Sequence, residues 1–200
     1  MAKFEPAAPQ AEPARAADRI RQTAGELFYN RGIRAVGVDE IVERAGATKP
    51  SLYRSFGSKD ELAAAYLTDY DARFWARFEA GAAQHPGDPR AQVLAILRGL
   101  AQRATEAGYR GCGLTNAAVE YPEPDHPARA VALQNKRELR ARLQAMAAEM
   151  GAADPARLGD GLMLLVEGAY ASGQMFGPGG PAGAVADAAE ALMSALAPQG

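Results

Sequence analysis

Hydroxyl and basic side chains crowd one stretch of the chain, residues 37–62 (GVDEIVERAGATKPSLYRSFGSKDEL): Thr48, Lys49, Ser51, Tyr53, Arg54, Ser55 and Lys59. The chemistry they offer is hydrogen-bond donation and positive charge, which binds phosphates and base edges. Bond-breaking chemistry is poorly served, because no paired nucleophile and base, phosphate loop or metal-ligand cluster stands out. His126 lies near Glu120, Glu123 and Asp125, but the other histidine, His85, is far along the chain and no ligand spacing repeats, so neither a metal nor a cofactor is expected. Cys112 reads as a small buried hydrophobe, with a redox-sensing thiol as the alternative.

The pattern around these donors predicts two short helices and the start of a third. Ile41, Val42 and Ala45 give the first an apolar face, and Gly46 suits its end. The second starts near Pro50, a residue tolerated in the first turn because its missing N–H has no intrahelical partner there. Leu52 and Phe56 point inward, which leaves Ser51, Tyr53, Arg54 and Ser55 outside that stripe. Ser58 and Glu61 form a capping box for the next helix, and Asp39 is a candidate cap for the first. A helix, a Gly-containing turn and a short helix with donors outside make a helix-turn-helix, whose second helix would enter the DNA major groove.

Residues 15–66 closely resemble the DNA-binding head of the TetR (tetracycline repressor) family. The matching residues are Phe28 and Gly32, Val36 and Ile41, Ala45-Gly46, Leu52 to Phe56, and Lys59 to Leu62. The resemblance implies contacts to DNA from Thr48, Lys49, Ser51, Tyr53, Arg54 and Lys59. Lys49 and Arg54 are suited to guanine O6 and N7, and Ser51, Tyr53 and Lys59 to phosphates, Lys59 at a helix N-terminus. Where the family commonly has a hydroxyl residue, this chain has Val38-Asp39-Glu40, which removes one phosphate contact and adds two anions near the DNA backbone. Arg15, Arg19 and Arg21 near the start of the first helix (about 14–31) are either a solvated face or flanking DNA contacts.

Beyond the head, a helix over about 59–82 carries Leu62, Tyr66, Tyr70, Phe74 and Phe78 every four residues, a stripe that suits a core. Further helices are expected at about 89–107, 128–150, 155–171 and 184–196, with a short apolar piece at 115–120 and a flexible loop at 177–183. The charge run Lys136-Arg137-Glu138 with Arg140 and Arg142 reads as a solvated face. The run Gly111-Cys112 to Glu120, then Asp125-His126-Pro127, resembles the body of one broad TetR-like group. Thr115, Asn116 and Glu120 would bond to nearby backbone or serve as polar anchors of a pocket. The resemblance implies an effector cavity, with Tyr70, Phe74, Phe78, Cys112, Asn116, Glu120, Glu167 and Tyr170 as candidate contacts. It also implies a homodimer through the helices near 155–171 and 184–196 that binds a palindromic double-stranded operator.

The whole chain is consistent with this. It has 200 residues, 48% of them hydrophobic, and little strand-like alternation, so an all-α fold is expected. Its net charge of −2 argues against nucleic acid, but residues 15–66 hold nine Lys/Arg against seven Asp/Glu. Residues 1–14 are Pro/Ala-rich and expected to be a disordered tail, 15–62 a DNA-binding domain, and 63–200 an effector-binding and dimerisation domain. One cysteine, no signal peptide and no bilayer-length apolar run point to the cytoplasm and no membrane partner. The expected function is a ligand-responsive transcriptional regulator, a repressor released by a small apolar effector. The alternative is a helical ligand-binding protein that no longer binds DNA.

Overall fold

A computed structural model describes residues 15–197, and the tail expected at 1–14 lies outside them. The described residues form α1 (Ala16–Arg31), α2 (Val38–Arg44), α3 (Lys49–Phe56), α4 (Lys59–Ala82), α5 (Pro89–Arg103), α6 (Gly113–Glu120), α7 (Pro127–Glu149), α8 (Pro155–Phe176), a 3-10 turn (Pro181–Ala184) and α9 (Val185–Leu196), with no strand among them. The fold is all-α, as the alanine-rich, non-alternating sequence requires.

Local signals set most boundaries. Thr48, Ser58, Asp88 and Asp154 cap α3, α4, α5 and α8 by accepting a backbone N–H in the first turn. Proline occupies the first turn of α3, α5, α7 and α8. Gly32, at φ 89°, ends α1 in a conformation that other residues adopt at a cost. Ile20, Ala24, Leu27 and Phe28 of α1 join Ile41, Leu52 and Leu62 in the small core of the head. Burying a leucine such as Leu52 contributes about 1.5–3 kcal/mol. The long α4 leaves this head and packs against α5 and α7, and α7 lies along α8. The α7–α8 approach depends on Gly159, where a Cβ would sit 2.7 Å from the Gln144 backbone nitrogen.

Several expectations change. Helix α2 begins after Gly37 with no side-chain cap, and Asp39 instead pairs with Lys49. Helix α5 stops at Arg103 rather than 107. Helix α8 continues to Phe176, past the expected 171, because no left-handed residue intervenes before Gly177; Ser172 is accommodated within it by donating to the Gly168 carbonyl (2.7 Å). The expected loop at 177–183 contains part of the 3-10 turn, anchored by buried Ala182. Lys136 does not belong to a solvated face: it turns inward to Glu167 at 2.7 Å. Arg19 and Arg21 are held within the protein. Arg19 donates to the Ala45 and Gly46 carbonyls at the end of α2 (3.0 and 3.1 Å), and Arg21 pairs with Asp69 of α4.

Candidate nucleic-acid interface and ligand cavity

Helix α3 is fixed from below by Leu52, fully buried, and half-buried Phe56. Its outer surface then presents Lys49, Tyr53, Arg54 and Ser55 to solvent, with Ser51 half-buried. Tyr53 is 47% exposed, so its ring does not close the small core. Thr48 Oγ1 accepts the Ser51 N–H (3.3 Å), which leaves its hydroxyl hydrogen free to donate outward. Arg54 has no acid partner among the described residues.

The two anions beside this surface are neutralised. Asp39 sits 2.6 Å from Lys49, and that hydrogen bond and the adjacent charge raise the Lys49 pKa. Glu40 is shared by Arg31 and Arg44. The Lys49–Asp39 pair is exposed and screened by water and salt, so a phosphate or base can displace Asp39 at small cost. Lys59 is the first residue of α4, and partial burial lowers its pKa against the opposing pull of Asp60 and Glu120.

The eight candidate effector contacts do not converge. Phe74, Phe78 and Tyr170 line a cavity of about 190 Å³ between α4, α5, α7 and α8. Tyr70 and Tyr170 line a wider cleft of about 720 Å³ against α1. Cys112 is buried and lies 3.5 Å from the Lys136 amine. Burial alone would lower the Lys136 pKa, but Cys112 and Glu167 outweigh it and the net shift is upward. Glu167 also accepts the Thr115 hydroxyl (2.8 Å), and Lys136 lies 5.4 Å over the Tyr170 ring. Asn116 donates to the Arg110 carbonyl (2.8 Å), the backbone option for that residue. Glu120 turns toward the head and bonds to Arg34.

Other cavity-lining residues escaped sequence reasoning. Arg77 and Arg103 line both the cavity and the cleft. Each is a cation next to an apolar helical stripe, Arg77 between Phe74 and Phe78 and Arg103 three residues after Leu100, and that local mismatch was the available signal. Buried Asn135, which donates to Asp71 (2.7 Å), was also missed.

Comparison with known proteins agrees with this geometry. Residues 20–66 match the family model described as bacterial regulatory proteins, tetR family. The fold superposes on the crystal structure of a TetR-family transcriptional regulator from Streptomyces coelicolor with a TM-score of 0.83 and 31% identity, over 91% of this chain and 96% of that one. Curated relatives match over shorter stretches. The transcriptional activator FasR of Mycolicibacterium smegmatis is 54% identical over 44 residues, 22% of this chain and 20% of its own. The transcriptional repressor KstR2 of the same organism is 32% identical over 68 residues, 34% of this chain and 33% of its own. The chain thus spans about a fifth to a third of the curated relatives it matches.

Proposed function

The chain belongs to the TetR family of transcriptional regulators, and from that membership we propose that it is a homodimeric repressor released from a palindromic operator by a small effector. The observation that carries the DNA reading is the outer face of α3, where Lys49, Tyr53, Arg54 and Ser55 stand exposed above a buried Leu52. Thr48, Ser51 and Lys59 flank that face and complete the proposed contact set. Residues 15–62 form the DNA-binding unit and 63–200 the effector and dimer unit, with α4 common to both.

The dimer reading rests on α8 and α9. Gly161, Leu164, Gly168, Ala171 and Met175 follow one another by three or four residues along α8, and Leu164 and Met175 are 73% and 70% exposed. Ala188, Ala191 and Ala195 make a matching small-residue face on α9. Apolar groups this exposed call for a partner surface, and small neighbours let two helices approach closely. A two-fold dimer presents two recognition helices to successive major grooves, about 34 Å apart.

Release follows from the position of α4. It carries Phe74 and Phe78 at the cavity and Leu62 in the head core, so a ligand that favours one position of α4 also favours one position of the head. A reporter assay on the regulated promoter tests the repressor sign: expression should rise when the protein is absent.

The deciding experiment is a mobility shift with DNA flanking the protein's own gene at two salt concentrations, with a footprint. A specific shift with two-fold footprint symmetry is expected. No specific shift there or in a genome-wide selection of bound fragments would favour a helical ligand-binding protein that no longer uses DNA, the reading for which the Lys49–Asp39 pair speaks.

A further inference from the structure

We propose that the effector is a carboxylic acid with a single ring or a short branched chain, its body in the cavity and its carboxylate held between Arg77 and Arg103. This rests on the reading of the body as a ligand-binding unit.

The cavity wall is apolar over most of its extent, with Phe74, Phe78, Leu97, Leu100, Leu143 and Val166 among the lining residues. A dry cavity of about 150 Å³ admits benzene. A volume of about 190 Å³ therefore takes one ring with a short substituent, or an acyl chain of similar bulk.

The two arginines make the site selective. They line the cavity and the neighbouring cleft alike, so they stand where the two spaces meet, together with Tyr170. Neither has a carboxylate partner among the described residues. Arg77 Nε is buried with no acceptor among the described residues, and its guanidinium lies 6.0 Å over the Tyr70 ring. The Tyr109 hydroxyl, in the same cleft, is also buried and without a partner. Asp69 of the cleft is occupied by Arg21, while Asp18, Glu26 and Glu106 are exposed and reach neither arginine. Buried donors without acceptors are costly, and a carboxylate accepts in the planar geometry that a guanidinium presents. An alcohol or amide of the same shape would fill the cavity but leave both charges uncompensated.

The test uses the full chain, titrated with phenylacetate and 4-methylpentanoate and with their neutral amides. Trp75, the single tryptophan, packs 5.1 Å from the Phe74 ring and 5.3 Å from the Phe78 ring and reports occupancy by its fluorescence. At least one acid should bind about ten-fold or more tightly than its amide. Arg77→Met and Arg103→Met should each remove that preference by weakening the acid and not the amide, while Arg77→Lys should retain part of it. Circular dichroism establishes that each variant is helical, and Arg77→Lys still decides the case should a methionine variant fail to fold. Equal binding of acid and amide, no binding by either acid at millimolar concentration, or full acid preference in both methionine variants would overturn the proposal. Acid binding that leaves the DNA complex intact would keep this site and overturn release. Release of DNA by the amides alone would keep release and overturn the acid.

Discussion

Glu120 and Arg34 bond to each other twice: the Glu120 carboxylate accepts the Arg34 backbone N–H at 2.8 Å, and the Glu120 carbonyl accepts the Arg34 guanidinium at 3.0 Å. Arg34 also lies 5.5 Å over the Tyr121 ring. Arg34 sits in the turn between α1 and α2, and Glu120 ends α6, so this contact joins the head to the body independently of α4. Tyr29 adds a second strut by accepting the Arg110 N–H at 3.0 Å.

Glu120→Ala should therefore loosen the head from the body. Loss of a charged acceptor for the amide of exposed Arg34 should cost about 1 kcal/mol in urea unfolding. Hydrogen exchange at the Arg34 amide should accelerate while exchange in α7 stays the same. Unchanged exchange at Arg34 would mean that the contact is not maintained in solution.

Asp39→Asn should tighten DNA binding. It frees Lys49 and removes an anion beside the phosphate backbone. The pair is exposed and screened, so the gain should be a few-fold at low salt and should shrink as salt rises. A loss of affinity would show that Asp39 holds Lys49 in its binding position.

Lys59→Ala should lower the slope of log affinity against log salt by about 0.9, the effect of one phosphate contact, with little change in sequence preference. Arg54→Ala should do the reverse, relaxing preference at one base pair by about 1–3 kcal/mol. An exchange of these two patterns would reverse the assigned roles.

Lys136→Met should destabilise the body by about 1.5–3 kcal/mol, because the half-buried Glu167 carboxylate loses its cation and keeps only the Thr115 hydroxyl among its described partners. The Lys136 pKa is raised above its ordinary 10.5 by Cys112 and Glu167 acting against burial, so the charged amine favours the folded state. That contribution is complete below about pH 10.5 and is lost as pH rises through the higher folded value. Tyrosine ionisation also weakens the fold at alkaline pH, so the informative quantity is the difference between wild type and Lys136→Met in urea melts. That difference should be constant from pH 7 to about 10 and narrow above it.

Leu164→Glu should leave the helical content unchanged and shift the protein from dimer to monomer in light scattering, since Leu164 is exposed on the outer stripe of α8. Operator affinity should fall with it, because two half-sites are then bound singly. A dimer that survives the change would move the interface elsewhere.

What the sequence determined by itself was local. Caps, first-turn prolines and three- and four-residue apolar spacing specify the helix-turn-helix, the outer face of α3 and the course of α4, because each depends on residues within a turn or two of one another. Tertiary structure decided which polar groups meet. Lys136 reads as surface charge in sequence, yet faces Glu167 from another helix; Glu120 reads as bonding to nearby backbone or anchoring a pocket, yet holds Arg34 from 86 positions away. The charge lining the cavity was equally hidden, since Arg77 and Arg103 lie on different helices and only the packing of α4 against α5 brings both to it. Periodicity reports which face of a helix is apolar. It carries no information on which partner lies opposite, and that partner decides whether a buried charge is neutralised or left free for a ligand.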